Sequence, residues 1–406
     1  MESIGYPDLD ILEVVATIPV GAGPHNLLLS LDGTRLLILN LFSRTVSVID
    51  VPSRNVIATL EVGRYPSSIA LDPSGLTRNA YLTIAGGDHE LDVIDPQVPL
   101  ITTRIPLPPT SFLNDLWISP NGLYGYLADS GSGRVQVLDL MRQSVQSSVF
   151  VGSRPFDIEA TADPNLLLVS CFGSDSVALF HRETQSVQAQ IPVGRGPFRA
   201  ATNPQTGIAY VLCSGDQTVA AVDPIGQRVT AVLPTPGLTG PSPRGDLAFD
   251  RNGTRLLVSA YQLSQIHVFG TDPAESGDVY HQLIQSINVP SGPIDIRVTP
   301  DGQRILVVCP NIGSLVVLTA VRAPTMESLA EELNAANIPA NIKGELSASL
   351  NAAIASFDRG NQTAGVNQLQ AFQNKVLAQA GKKIDQATAN ALIAAAQRII
   401  DATGSQ

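Results

Sequence analysis

No lysine occurs in the first 325 residues of this 406-residue chain; Lys343, Lys375, Lys382 and Lys383 all lie beyond them. Charged residues make up only 15% of the sequence and aromatic residues 5%, with a single tryptophan. The shortage of basic residues, at a net charge of −11, argues against a phosphate-backbone binding surface, so no nucleic-acid partner is expected. No stretch of 18 apolar residues is free of charge or turn formers, and no membrane span is expected. Met1-Glu2-Ser3-Ile4-Gly5 lacks the basic and apolar regions of a signal peptide. The three cysteines form no C-x-x-C pair, and the five histidines show no zinc-type spacing. One tryptophan and no haem-type ligand pair leave little to clasp a large planar ring, so no cofactor and no metal are expected. A G-x-S-x-G nucleophile elbow is also missing.

What is present is apolar residue, glycine and proline. Hydrophobic residues reach 44%, enough for a large core, and 33 glycines and 29 prolines are scattered as in chains of many short strands joined by turns. Residues 1–325 hold 29 acidic and 19 basic residues, or −10 of the total charge. The abrupt appearance of lysine places a domain boundary near Ala323-Pro324-Thr325, between a domain over 1–322 and another over 326–406.

The dominant signal is internal repetition. A unit reading V-G-x-x-P, then a turn near Asp-Gly, then T-V-x-V-x-D recurs seven times. Its clearest copy is Val20-Gly21-Ala22-Gly23-Pro24, Asp32-Gly33 and Thr45-Val46-Ser47-Val48-Ile49-Asp50. Later copies begin at Val62, Leu107, Val151, Val193, Leu233 and Val289. Each has room for four short strands: in the first, Leu27 to Ser30, Arg35 to Asn40, Thr45 to Asp50 and Val56 to Val62. Runs such as Leu36-Leu37-Ile38-Leu39 are apolar on both faces, as in sheets covered by neighbours on both sides. The last copy lacks its outer strand, and Ile11 to Ile18 supplies a matching segment at the other end. The expected fold is an all-β seven-bladed propeller of four-stranded antiparallel blades, with the N-terminal strand closing the last blade.

Residues 11–320 resemble the YVTN-type β-propeller repeat family, the resemblance resting on Leu37-Ile38-Leu39-Asn40-Leu41-Phe42-Ser43-Arg44-Thr45-Val46-Ser47-Val48-Ile49-Asp50. It implies architecture rather than activity, because such propellers serve as surface proteins, ligand binders, lactonases, lyases and haem-binding domains.

Beyond Pro324 the apolar period changes from 2 to about 3.6. Leu346, Leu350, Ile354 and Phe357 line one helix closed by Gly360; Val366, Leu369, Phe372 and Val376 line the next, ending at Gly381; Leu392, Ala396, Ile399 and Ile400 line the last, with Asp385 as its N-cap. With Met326 to Asn334 this makes a small all-α helical bundle. The tail resembles the FIMAH domain through Ser356-Phe357-Asp358-Arg359-Gly360-Asn361, Asn367-Gln368-Leu369-Gln370-Ala371-Phe372 and Gly381-Lys382-Lys383. That resemblance implies an extracellular or cell-surface setting, the signal peptide being absent from this chain.

Candidate site residues come from one repeat position read around the ring, two residues after the proline position of the V-G-x-x-P pattern: Asn26, Ser68, Asp115, Asp157, Arg199, Asp246 and Asp295. Starting the innermost strands, they are expected at the mouth of the central channel, with His25 beside them. The connectors add Arg64, Arg154, Arg195 and Arg244. Either the aspartates accept backbone N–H bonds that fix the connectors, or they and the arginine forks grip a small polar ligand or a cation, with four carboxylates suiting Ca²⁺. Cys171, Cys213 and Cys309 share one repeat position and are expected as buried packing residues.

The expected function is non-enzymatic: a binding protein using one propeller face for a small polar ligand or an unknown protein, with the tail for attachment, partner contact or self-assembly. The alternative is a lactonase- or lyase-like enzyme at the same mouth, with Asp115, His25 and Arg199 as its candidate residues.

Overall fold

A computed structural model describes residues 11–404, apart from 76, 87–88, 109–111, 239–243, 275–278 and 322–325. Contacts divide the chain into two compact units: Glu13–Thr319, and the segment from Ala320 onward together with the residues before Glu13.

Seven four-stranded antiparallel sheets follow one another along the β segment. Blade one consists of Pro24–Leu29, Arg35–Asn40, Thr45–Asp50 and Asn55–Glu61, counted from the channel outward. Blade seven takes Asp295–Val298, Arg304–Cys309 and Ser314–Val321 from one end of the segment and Ile11–Pro19 from the other. Closure by strand exchange removes a free edge that would invite pairing with another chain. The expected inner strand at Leu27 begins instead at Pro24, because Pro24 already pairs with Asn40.

The blades are held by their faces. Second strands such as Leu166–Cys171 are buried at every position, whereas outer strands such as Ser186–Pro192 alternate. Between blades seven and one, Leu306, Val308 and Leu315 pack against Leu36 and Ile38; between three and four, Tyr126 meets Phe180 edge-on at 5.9 Å. Each such buried side chain contributes about 1.5–3 kcal/mol.

The V-G of the repeat has a packing cause. A Cβ at Gly194 would lie 2.9 Å from Cys213 Cβ, one at Gly152 2.8 Å from Cys171 Sγ, and one at Gly21 2.6 Å from Asn40 Cγ. The connector therefore lies directly on the residue that ends the second strand, which is why small residues recur there. Gly194→Ala is expected to lower stability by about 1–3 kcal/mol, seen as an earlier urea midpoint.

The C-terminal helices α1 (Met326–Ala335), α2 (Ala340–Asp358), α3 (Gln362–Gln379) and α4 (Gln386–Gly404) bury one apolar stripe each, with Leu346, Leu350, Leu369, Phe372, Val376 and Leu392 in a shared core. Gly360 and Gly381 adopt positive φ after α2 and α3. Asp385 caps α4 through Thr388 N–H at 2.9 Å, and Asn361 caps α3 through Ala364 N–H at 3.1 Å. No helix among the described residues is long and apolar enough to cross a membrane.

Candidate functional site

In blades one to five the inner strand carries a register shift between the ring position and the residue two before it: Pro24/Asn26, Pro66/Ser68, Leu113/Asp115, Pro155/Asp157 and Pro197/Arg199. A bulge breaks the alternation of a strand and re-aims its extra residue. The residue between, one step before the ring position, therefore turns to the mouth. His25, Ser67, Asn114, Phe156 and Phe198, with Gly245 and Ile294 at the same position of blades six and seven, all line a mouth chamber of about 400 Å³. Of the ring position itself, only Arg199 reaches that chamber.

Five of the other six ring residues lean onto the following blade. Asp115 accepts Ile158 N–H at 3.0 Å, Asp157 accepts Ala200 N–H at 2.9 Å, Asp246 accepts Ile296 N–H at 3.3 Å, and Asp295 accepts Leu27 N–H at 3.0 Å. Each aspartate thus ties its blade to the inner strand of the next, and the last of these bonds crosses the ring closure. Ser68 donates to Asp115 at 2.7 Å.

The aspartates also face two arginines. Arg199 Nη1 lies 2.9 Å from Asp157 Oδ1 and 3.6 Å from Asp115 Oδ1. Arg297 Nη1 pairs with Asp246 and lies 2.9 Å from Asp295 Oδ1. Glu159, two residues beyond Asp157, accepts Thr202 N–H at 2.9 Å. These side chains surround a second, inner chamber of about 370 Å³, bounded by Asn26, Ser68, Asp115, Asp157, Glu159, Arg199, Asp246 and Arg297. Arg199 lines both chambers.

Burial and Asp115 push the Asp157 carboxyl up to about 7, against the pull of Arg199. Burial and Asp157 push Glu159 up to about 8. Asp295 is also raised, by burial first. Burial alone would raise Asp246 too, but Arg297 and Arg199 hold it below the usual value. The His25 imidazole is driven down to about 4 by burial and by the charge of Arg199, and its buried Nδ1 has no hydrogen-bond partner.

The connector arginines do not converge. Arg154 lies over the Phe172 ring at 4.7 Å, and Arg195 is ion-paired with Asp216 at 2.6 Å; neither lines a chamber. Arg244 lies over Tyr261 at 4.8 Å, donates to its hydroxyl at 2.8 Å, and borders the mouth chamber. Glu159 and Arg297 were not among the expected residues. Their signal is a charge at a position where the other blades carry Leu28, Ala70, Trp117, Ala201 and Ala248.

Burial pushes each of the Cys171, Cys213 and Cys309 thiols up to about 12, which leaves no thiolate near neutrality. His267 is held between Ser286 Oγ and the Pro236 carbonyl, and His281 meets the Tyr210 hydroxyl at 2.8 Å. Among the described residues, no group of three or more His, Cys, Asp or Glu side chains is placed to hold a metal ion.

Ring, closure and channel make the β unit a seven-bladed β-propeller, followed along the chain by a helical module. A family model for the seven-bladed lactonase β-propeller matches residues 118–338, more than half the chain, and the chain belongs to that family. A YNCE-like β-propeller model matches residues 1–74, and a FIMAH domain model matches residues 323–401. Among solved structures, Kuenenia stuttgartiensis hydrazine synthase is similar at 19% identity and a TM-score of 0.63, over 78% of this chain and 99% of that one. At that identity the likeness concerns the fold alone. No curated protein matches the chain.

Proposed function

We propose that this protein is a non-enzymatic binding protein of the cell surface or extracellular space, whose mouth chamber takes a small organic anion with a flat or apolar body. The helical tail then serves attachment or partner contact, a reading supported by the FIMAH match. The carrying observation is the chamber's lining. Phe42, Tyr65, Phe112, Phe156 and Phe198 supply apolar walls, Arg199 and Arg244 are its charged groups, and no carboxylate lines it. Such a mix of apolar wall and few polar groups is the usual form of a small-ligand site. In a segment of charge −10 it is a local reversal that favours an anion. Arg244 is held in place by Tyr261, so a carboxylate would meet a preorganised guanidinium.

Tyr65 adds a second sign of use. It sits at φ 55 just before its connector proline, where blades one, five and seven have Gly23, Gly196 and Gly292 at positive φ. A side chain in the left-handed region costs about 1–2 kcal/mol, and this one is spent on an exposed ring at the rim. Tyr65→Gly is therefore expected to gain about 0.5–1 kcal/mol in urea unfolding. It should also weaken binding of 4-hydroxybenzoate, the probe for this chamber. With Arg244→Ala the loss should be about tenfold or more by calorimetry. Absence of saturable binding by aryl carboxylates would sink the proposal.

The alternative is lactone hydrolysis at the same mouth, favoured by the family match and by His25. A neutral imidazole with an unpartnered nitrogen is suited to take a proton from water, and Arg244 to hold the carboxylate that ring opening releases. Base uptake in a pH-stat with γ- and δ-lactones, lost in His25→Gln, would establish that reading over the first.

A further inference from the structure

Away from both chambers, blade six brings a hydroxyl and a base together at its outer edge. His267 lies in the blade's third strand (Gln265–Gly270) and pairs across the ladder with Ser286 of the outer strand (Leu283–Asn288). Side chains directly opposite each other in an antiparallel pair share a face, and these two meet, with His267 Nδ1 2.8 Å from Ser286 Oγ. The other ring nitrogen, Nε2, lies 3.0 Å from the carbonyl oxygen of Pro236, in the connector after blade five. The imidazole is buried, whereas Ser286 is exposed.

These contacts fix the direction of both bonds. Burial lowers the pKa of His267, opposed by the Pro236 carbonyl alone, so the ring is neutral near pH 7. A carbonyl oxygen can only accept, so Nε2 carries the ring proton and donates it to Pro236. Nδ1 is left with its lone pair, and the Ser286 hydroxyl donates to it. Nucleophile, base and a third group that sets the base's tautomer are thus joined in one chain, the arrangement that activates a serine. The same rung is built differently elsewhere. Blade one pairs Ser47 with Thr59, blade two Asp92 with Arg104, blade three Gln136 with Ser148 and blade five Ala220 with Val232, and none of these joins a hydroxyl to an imidazole.

We infer that Ser286 is an acylation site, which takes the acyl group of an activated ester with His267 as its base. Oγ attacks the ester carbonyl carbon while its proton passes to Nδ1, and the Pro236 carbonyl steadies the imidazolium through Nε2–H. The bond from that carbon to the leaving oxygen then breaks. The leaving group departs, Nδ1 returns the proton to it or to water, and Ser286 is left as an ester. Ser286 lines neither chamber, so neither holds the alcohol half of the substrate, and the ester must bring a good leaving group of its own. The inference does not depend on what the mouth chamber binds.

The test is to mix the full chain with 4-nitrophenyl acetate, follow 4-nitrophenolate, and quench in acid for peptide mass spectrometry. A burst of about one equivalent is expected, with a single acetyl group on the peptide that holds Ser286. Ser286→Ala should abolish burst and label together; the position is exposed, so the melting temperature should stay within a few degrees. His267→Gln should slow acylation about a hundredfold or more with Ser286 still present. Should that variant fail to fold, the pH profile of the unsubstituted protein serves instead. Its burst rate should be level above about pH 7, where the base is already neutral. A burst that survives Ser286→Ala, or a label carried only by the lysines of the tail, would overturn the inference. So would acylation indifferent to His267→Gln, or a rate that keeps climbing with pH, the mark of a hydroxyl without a base.

Discussion

Replacing Arg199 by methionine is expected to cost about 3–5 kcal/mol at pH 8, the usual loss when one partner of a buried ion pair is removed. Arg199 is the cation between Asp157 and Asp115, and its side chain is only 17% exposed. Burial works against its charge, but Asp157 and Asp115 outweigh it and raise its affinity for the proton. Without the guanidinium two carboxylates of neighbouring blades are left together, and Asp157, already at about 7, is pushed higher still. The protein can then escape most of the repulsion only by taking up a proton. The loss should therefore shrink to about half or less at pH 5.5, where that proton is bound. Asp157→Asn in the same chain should restore much of the stability at pH 8, since an amide oxygen still accepts Ala200 N–H. Urea unfolding followed through Trp117, the only tryptophan, reports all three. A loss that is equal at both pH values, or that Asp157→Asn fails to relieve, would show that Arg199 acts by packing alone.

The unsubstituted protein should be most stable near pH 6, for reasons of opposite sign on either side. Asp157, Glu159 and Asp295 have folded-state values raised above their ordinary 3.8, 4.5 and 3.8. The folded state holds their protons more tightly, so this stability is present at low pH and is lost as pH rises through about 7 and 8. His25 is lowered from 6.5 to about 4, and His267 and His281 are lowered as well. Their contribution is present above 6.5 and lost as pH falls toward 4. From pH 9 down to 6.5 only the carboxyl effect operates, and the melting temperature should rise. Glu159→Gln removes one of those carboxyls while keeping the bond to Thr202. It should raise stability at pH 9 by on the order of 2 kcal/mol, several degrees in melting temperature, and flatten the slope. A melting temperature that climbs steadily from pH 6 to 9 would contradict the buried acidic cluster.

How much of this was legible in the residues differs from element to element. Arg35–Asn40 and Thr45–Asp50 form strands at the expected residues, since apolar runs bounded by turn residues are a local property. The caps at Gly360, Gly381 and Asp385 were likewise readable, each depending on a few neighbouring residues. The mouth ring was only half legible. Reading one position per repeat finds the residues that lean onto the next blade, but the bulge turns the preceding residue to the mouth, and a bulge is a matter of pairing between strands. Phe156, Phe198 and Asn114 were missed for that reason, while His25 was found. Arg154 and Arg195 looked like a collar because connectors share a face; Phe172 and Asp216, on their own or neighbouring loops, bind them first.

By itself the sequence determined the seven repeats, the exchange of Ile11–Pro19 into the last blade, and the change to a helical module after residue 325. All of these follow from periodicities of a few residues, repeated often enough to be counted. The tertiary structure alone decided which charges meet. Ala200 N–H reaches Asp157 across 43 residues and Leu27 N–H reaches Asp295 across 268, the latter only because the ring closes. Whether a carboxyl in the channel is paired, protonated or left with a free oxygen depends on neighbours one blade away and on the water excluded between them, and both exist only once the blades have packed.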